Sequence, residues 1–243
     1  MPAAPLLAVD APSLMYRAFF ALPSSITGVD DRPVNALLGT ANLVLHAVER
    51  YALLATVLCW GAEAAHYRVE HFEGYHADRP PMPGDLEHQW ALAPAFFAAF
   101  GWPSLDAGDL EADDLLGALA AGEAAAGGTA VLFTGDRDMF QCVSEHVVVL
   151  FPAKGGPEEI GPDGVRERYG IDPAQVPDLI ALRGDPSDGI PGAKGIGAKG
   201  AADLLRRFGS LEGALEAAAS PTSEMTPRTR GAAVPWPALH GGV

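Results

Sequence analysis

The stretch "AVLFTGDRD" at residues 130–138 joins an apolar run to two carboxylates through a glycine. Its first five residues are apolar or β-branched and are bounded by polar segments, which predicts a buried β-strand. Three other runs predict strands on the same grounds: "LLAV" at 6–9, "ATVLCW" at 55–60 and "VVVLF" at 147–151. Helical patterns such as "NALLGTANLVLHAVERYALL" and "EADDLLGALAAGEAAA" separate them. This alternation predicts an α/β domain with a largely parallel sheet.

The composition is that of a globular protein. The 243 residues, 49% of them hydrophobic, suffice for one large domain or somewhat more. A formal net charge of −15 argues against indiscriminate binding to nucleic acid or anionic membranes, but it allows a local basic surface or cation-screened acids. The sequence has no basic leader and no uncharged apolar run of about 18 residues, so neither a signal peptide nor a membrane span is predicted. Cys59 and Cys142 are predicted to be reduced, in a cytoplasmic protein.

The chain changes character twice along its length. Residues 61–108 are rich in Pro, Gly, His and aromatic side chains, and we expect them to form a long insertion over one edge of the sheet. From about residue 162 the pattern is helical, which predicts a domain at 1–160 followed by a helical subdomain at 161–219. Residues 220–243 contain many helix breakers and lack an apolar period, so a disordered tail is expected.

Carboxylates follow the predicted strands where parallel strands end together. Ligands of doubly wound sheets bind beyond these carboxyl ends. The stretch "DLEADDLLG" at 109–117 opens a helix with further acids, and "RGDPSDGIPG" adds two in a loop. We therefore predict one cluster of eight acids, namely Asp10, Glu111, Asp113, Asp114, Asp136, Asp138, Asp185 and Asp188.

Such a cluster requires compensating charge, because neighbouring carboxylates cannot all stay ionised unaided. Ligands that are all oxygen favour hard divalent ions, so magnesium or manganese is the predicted occupant. For any single acid the alternative is a solvated loop or a helix start, since acids suit the positive end of a helix. For the whole set, that alternative requires four chain segments to coincide by chance.

A second informative stretch is "GIPGAKGIGAKGAADLLRRFGSL". Gly192, Gly195 and Gly197 permit a tight hairpin, and the helix that follows supplies backbone amides. A helix N-terminus binds anions, so this geometry can hold one backbone phosphate without reading a base. Lys194 and Lys199 flank the hairpin and are two of the three lysines in the chain. An ordinary helix–turn–helix connector is the alternative.

Together these blocks resemble a known family. The stretches "LLAVDAPSLMYRAFFALP", "YRVEHFEGYHADR", "LEADDLLG", "FTGDRDMFQ" and "LRGDPSDGIPGAKGIGAKGAADLL" follow the order found in the 5′–3′ exonuclease and flap endonuclease family. That family includes the nuclease domain at the N-terminus of bacterial DNA polymerase I. The resemblance covers residues 5–218. It implies a PIN-like, mainly parallel sheet flanked by helices, an arch at about 62–108, and a C-terminal helix–hairpin–helix at 177–207.

The resemblance also implies an activity, hydrolysis of the backbone of branched or 5′-ended DNA with two or three divalent ions. Carried over by position, the eight acids are metal ligands. The resemblance implies that the hairpin at 190–199 grips duplex phosphate, as the family's helix–hairpin–helix element does, and holds a potassium ion through backbone carbonyls. Tyr16 and Arg17 match positions near the cut site, where an aromatic ring stacks a base. Arg68 and Arg79 match catalytic positions at the arch base that stabilise phosphate charge.

The partners implied by the resemblance are DNA with flaps, nicks or 5′ ends, and proteins of replication or repair. A stand-alone monomer is expected, since no polymerase domain is evident in this sequence.

Three positions depart from the family pattern. Gly61 stands where relatives have an acid after the second strand, with Glu63 two residues further on. His76 takes the place of a catalytic arch lysine, and because it carries charge only when protonated, activity is expected to fall as pH rises through about 6–7. Gly189 replaces an asparagine. An alternative therefore stays open, a degenerate relative that binds branched or 5′-ended DNA with little or no cleavage.

Overall fold

The computed structural model describes residues 4–220. Contacts divide these residues into two compact units, one formed by residues 4–65 with 80–161 and the other by residues 66–79 with 162–220. The tail that was predicted to be disordered lies outside the described residues, apart from Ser220. Among residues 4–220, no helix has the length and apolar character needed to cross a bilayer.

A single mixed sheet forms the centre of the first unit. Its strands are β1 (Leu6–Asp10), β2 (Ala55–Trp60), β3 (Ser104–Asp106), β4 (Ala130–Phe133), β5 (Val147–Phe151) and β6 (Glu158–Ile160). Their order is β3-β2-β1-β4-β5-β6, and all neighbours are parallel except β5 and β6. The four predicted strands and the mainly parallel α/β class are thus confirmed. The sequence missed β3 and β6 because each has three residues, most of them exposed.

Helices cover both faces of this sheet. In the first unit they are α1 (Ala11–Ala21), α2 (Asn35–Arg50), α4 (Gly84–Ala98), α5 (Ala112–Ala125) and a 3-10 helix at Asp138–Cys142. Leu7 and Val9 of β1 share a core with side chains of α1, α2 and α4. Alternate strand residues face opposite sides, and α5 packs against β1, β2 and β4 with Leu116 and Ala120 buried outside that core. The sheet is therefore buried between two helical layers.

The predicted insertion at 62–108 is divided between the two units. Residues 80–108 belong to the first unit, since α4 buries Leu86, Ala93 and Phe97 in its core and β3 extends its sheet. Residues 66–79 alone group with the second unit. The frequent prolines and glycines of this region suggested a surface excursion, but the apolar side chains of α4 are core residues.

The second unit is helical. It contains α3 (His66–His71), α6 (Pro162–Tyr169), a 3-10 helix at Pro173–Gln175, α7 (Val176–Arg183), α8 (Ala198–Phe208) and α9 (Leu211–Ala219). Leu179 and Leu182 of α7 and Leu205 of α8 are buried. α7 and α8 flank the glycine-rich segment, so the unit contains the predicted helix–hairpin–helix arrangement.

Candidate functional site

The topological switch of the sheet lies between β1 and β4. The chain places β2 and β3 on one side of β1 and then β4 and β5 on the other. Such a switch leaves a crevice beyond the carboxyl ends of the two strands that flank it. Asp10 is the last residue of β1, and Thr134 follows the last residue of β4. Both side chains therefore belong to the position where this fold type binds ligands.

Hydrogen bonds connect three of the predicted acids at this switch. The Thr134 hydroxyl donates to Asp10 Oδ2 over 2.6 Å and accepts from the backbone N–H of Asp136 over 2.9 Å. Asp136 Oδ1 accepts from the backbone N–H of Asp138 over 2.8 Å. Asp10 Oδ1 accepts from the Ser13 N–H over 3.0 Å, which caps α1. Sequence reasoning missed Thr134 and Ser13, although a hydroxyl between an apolar strand and two acids was a usable signal.

Asp10 is in an electrostatically unfavourable position. It is 4% exposed, and burial raises its pKa from 3.8 to about 6, with a smaller contribution from the charge of Asp136 and against the hydrogen bonds from Thr134 and Ser13. A cation beside two such carboxylates would favour the ionised form of both.

The acids of "DLEADDLLG" build the start of α5. Glu111 is the N-cap, and its side chain and that of Asp114 form a reciprocal capping box, with the Glu111 N–H donating to Asp114 Oδ2 over 3.0 Å. Glu111 Oε1 also accepts from the Ala65 N–H over 2.8 Å. Burial, and then the charge of Asp113, raise the pKa of the Cys142 thiol at the end of the 3-10 helix. The helix-start role that the sequence left open is therefore real for Glu111 and Asp114.

Gly61 has a packing reason for its missing side chain. A Cβ at this position would lie 2.4 Å from the Leu110 carbonyl oxygen and 2.7 Å from the Ala112 nitrogen, both backbone atoms. The next residue, Ala62, donates its N–H to the same Leu110 oxygen over 2.8 Å. The backbone of 110–112 therefore occupies the volume that an acidic side chain at 61 would enter, and Glu63 is exposed.

The donor set of the first unit suits a hard divalent ion, since it consists of carboxylate oxygens at a switch point and includes the buried Asp10. Across the part of the chain that the structure describes, no three His, Cys, Asp or Glu side chains form a group that could hold an ion as they stand. The carboxylates of Asp10, Glu111, Asp114 and Asp136 engage backbone amides or a hydroxyl instead. Each of these carboxylates has further lone pairs, so it can accept such a hydrogen bond and ligate an ion at the same time.

Asp185 and Asp188 belong to the second unit and have partners there. Asp185 accepts hydrogen bonds from Arg183 over 3.2 Å and from the Ser187 N–H over 2.9 Å. Asp188 Oδ1 lies 3.0 Å from His76 Nε2 and 3.2 Å from Arg79 Nη2. Their membership of the eight-acid cluster stays a prediction.

Two candidate DNA contacts outside the hairpin, Tyr16 and Arg68, pack against aromatic rings. The half-buried Tyr16 meets Trp90 edge to face, with ring centroids 6.0 Å apart, and the neighbouring Arg17 is exposed. In the second unit, the Arg68 guanidinium lies 5.3 Å from the ring centroid of Tyr67 and 5.9 Å from that of Tyr75. These contacts hold Tyr16 and Arg68 in defined positions.

The glycines of the hairpin have distinct roles. A Cβ on Gly192 would lie 2.1 Å from the carbonyl carbon of Arg183, so this glycine permits two backbone segments to touch. Gly195 has a φ of +84°, a conformation that favours glycine. Gly197 is the N-cap of α8, which has no side-chain cap, and Lys194 and Lys199 are exposed. An uncapped helix start beside two lysines is suited to an anion.

Two family profiles match this chain in succession, the N-terminal resolvase-like domain of 5′–3′ exonucleases over residues 5–170 and their C-terminal SAM fold over residues 171–232. The chain belongs to the 5′–3′ exonuclease family. A family member from Streptomyces coelicolor, a 5′–3′ exonuclease, is 37% identical over 238 residues, covering 91% of this chain and 78% of the relative. The thermostable DNA polymerase I of Thermus thermophilus is 40% identical over 215 residues, 88% of this chain. The chain spans 25% of that polymerase's length.

Solved structures confirm the fold of this 5′–3′ exonuclease family member. The bacteriophage T5 D15 flap endonuclease, in a complex with DNA and metal ions, matches with a TM-score of 0.73 at 19% identity over 93% of this chain and 82% of that one. A complex of the Rad2 catalytic core with DNA matches with a TM-score of 0.58 at 17% identity over 95% and 71%. At these identities the likeness concerns the fold alone.

Proposed function

We propose that this 5′–3′ exonuclease family member is a metal-dependent nuclease that hydrolyses DNA phosphodiester bonds at flaps, nicks or 5′ ends. The observation that carries the proposal is the hydrogen-bonded series from Asp10 through Thr134 and Asp136 to Asp138 at the switch of the sheet. The 5′–3′ exonuclease of Streptomyces coelicolor, which is 37% identical to this chain, supports it.

The residues of the first unit that would hold magnesium or manganese are Asp10, Glu111, Asp113, Asp114, Asp136 and Asp138. The chemistry that divalent ions supply in such a site is activation of a water nucleophile and stabilisation of charge on the leaving oxygen. Thr134 orients Asp10, and the Ala65 amide orients Glu111. Supporting hydrogen bonds of this kind fix ligand direction in metal sites.

The hairpin of the second unit would hold DNA, which reconciles a net charge of −15 with a nucleic-acid substrate. The uncapped start of α8, with Lys194 and Lys199, would bind a duplex phosphate, and backbone carbonyls of 190–199 would hold potassium. Arg68 and Arg79 would stabilise phosphate charge, and Tyr16 would stack a base. The proposal extends to a monomer that acts in the cytoplasm beside replication or repair proteins.

The test is cleavage of a 5′-labelled flap and of a nicked duplex in magnesium, manganese or EDTA. We expect cleavage in either metal, none in EDTA, and a loss of at least about 100-fold in Asp136→Ala. Asp163→Ala, which removes an exposed acid of the second unit, is the matched control and should cleave normally. Tight flap binding without cleavage, even in manganese, would instead establish the degenerate DNA-binding relative.

A further inference from the structure

Asp188 ties residues 66–79 to the loop that follows α7, within the second unit. Its carboxylate meets His76 Nε2 at 3.0 Å and Arg79 Nη2 at 3.2 Å, and its carbonyl oxygen accepts from the His76 N–H over 3.3 Å. The side chains of His76 and Asp188 are 5% and 14% exposed, whereas the surface pair Arg166–Asp163 is 53% and 100% exposed. Water therefore screens the Asp188 contacts less than an ordinary surface ion pair.

Gly189 makes a second contact between the loop after α7 and residues 66–79. Its φ is +74°, and a Cβ there would lie 2.4 Å from the carbonyl oxygen of Gly74. Asparagine tolerates this φ better than most residues, so backbone conformation alone does not require glycine. The approach of the Gly74 carbonyl does require it, because the obstructing atom is backbone.

The contacts of Asp188 and His76 extend to the two arginines of residues 66–79. The His76 ring stacks on Tyr75 with centroids 3.9 Å apart and planes 18° apart, and Arg68 lies over Tyr75. Arg79 bonds directly to Asp188. The positions of both guanidinium groups are thus set by contacts that begin at residues 188 and 189.

We propose that Asp188 and Gly189 are positioning residues that clamp residues 66–79, so that Arg68 and Arg79 are preorganised for a DNA phosphate. Two of the departures from the family pattern thereby meet at one place. A lysine at position 76 has no ring to stack on Tyr75, and an asparagine at 189 has a Cβ for which the Gly74 carbonyl leaves no room. The clamp itself rests on contacts within the second unit, and its role toward phosphate rests on the proposed function.

The first test uses limited trypsin digestion of the full chain in EDTA without DNA and follows cleavage after Arg68, because trypsin does not cut the bond between Arg79 and Pro80. We expect Asp188→Ala to speed this cleavage about tenfold, because local opening controls proteolysis and charge-assisted hydrogen bonds oppose opening. Asp188→Asn keeps an acceptor oxygen, so its cleavage rate should lie between those of the wild type and Asp188→Ala. Asp203→Ala, which breaks the exposed pair with Arg206, should leave cleavage after Arg68 unchanged.

A second pair of variants separates the steric contact from backbone conformation. Gly189→Asn and Gly209→Asn both place asparagine at a positive φ, +74° and +84°, but a Cβ at 209 meets open space. Only Gly189→Asn should speed cleavage after Arg68. Equal cleavage in the two variants, together with no effect of Asp188→Ala, would overturn the clamp.

The role toward phosphate is measured by flap binding at several salt concentrations, in EDTA. Asp188→Ala should weaken binding and lower the slope of log affinity against log salt by about one. Faster proteolysis with an unchanged slope would keep the clamp but overturn its role in DNA binding. Absence of flap binding in the wild-type protein would instead count against the proposed function, and the digestion result would stand.

Discussion

Gly61 decides how closely the start of α5 approaches the end of β2. Any side chain at 61 meets the backbone of residues 110–112, which cannot rotate away as a flexible side chain can. Gly61→Ala should therefore lower the free energy of unfolding by about 1–3 kcal/mol. Gly61→Asp, which reinstates the residue type of the relatives, should destabilise at least as much and should not raise manganese affinity.

Urea unfolding and manganese titration of the Gly61 variants measure both effects. Gly122→Ala is the matched control, because Gly122 lies within α5 and a Cβ there meets open space. That change should raise stability by about 0.5–1 kcal/mol. Tighter manganese binding in Gly61→Asp would show that residues 110–112 yield readily and that the acid is simply absent.

Asp10 predicts a pH dependence of the metal-free protein. Its pKa is about 6 in the folded state against 3.8 ordinarily, so the folded state binds the proton more tightly. The protonated Asp10 therefore contributes up to about 3 kcal/mol to the free energy of unfolding. This contribution is fully present below about pH 4 and is lost as pH rises toward 6. The Asp10→Asn variant has no such titration, and its amide oxygen can still accept from Ser13, as asparagine does at N-caps.

Urea unfolding in EDTA between pH 4 and 8 isolates the contribution of Asp10. The free energy of unfolding of Asp10→Asn should rise relative to that of the wild type between about pH 4 and 6. The difference should persist above pH 6. Added manganese should stabilise the wild type more than the variant. A constant difference between the two proteins at every pH would contradict the assignment.

At the scale of elements, a side chain from α4 caps α2. The N-cap residue of α2, Val34, makes no side-chain cap. Gln89 Oε1 accepts instead from the N–H groups of Ala36 and Leu37, over 2.7 and 3.3 Å. Its amide nitrogen donates to Asn35 Oδ1 over 3.1 Å. Because Gln89 is fully buried, loss of this amide leaves buried donors without their acceptor.

Gln89→Ala should cost about 2–4 kcal/mol in the free energy of unfolding, from the lost cap, the buried donors and a cavity. Gln141→Ala is the control, since that side chain is exposed and makes a local bond to the Asp138 carbonyl. It should cost less than about 0.5 kcal/mol. Similar costs for the two variants in urea unfolding would show that α2 does not depend on the cap from α4.

At the scale of the whole molecule, charge is distributed unevenly. The chain has three lysines, and two of them, Lys194 and Lys199, flank the hairpin of the second unit. Replacing both by glutamine should weaken duplex binding similarly for all base sequences and lower the salt slope by about two. Lys154→Gln, at an exposed position of the first unit, should leave the slope unchanged in the same filter-binding or anisotropy titration.

The sequence by itself determined the four long strands, the mainly parallel sheet and the helical second unit. These follow from apolar periodicity, which is local and survives in any arrangement of the elements. The placement of Asp10, Asp136 and Asp138 at one edge of the sheet was predictable, because the carboxyl ends of parallel strands lie together at the switch in strand order. Comparison with the family motifs identified the order of the sequence blocks and the three positions whose residue type differs from the motifs.

Only the tertiary structure decided what the departures mean. That Gly61 faces the backbone of 110–112, that Gly189 faces the carbonyl of Gly74, and that Gln89 caps a helix 53 residues away depend on contacts between distant segments. The same holds for α4, whose apolar residues are core and not an external insertion. Sequence patterns record the periodicity of one segment at a time, whereas close packing fixes which atom of another segment fills each space.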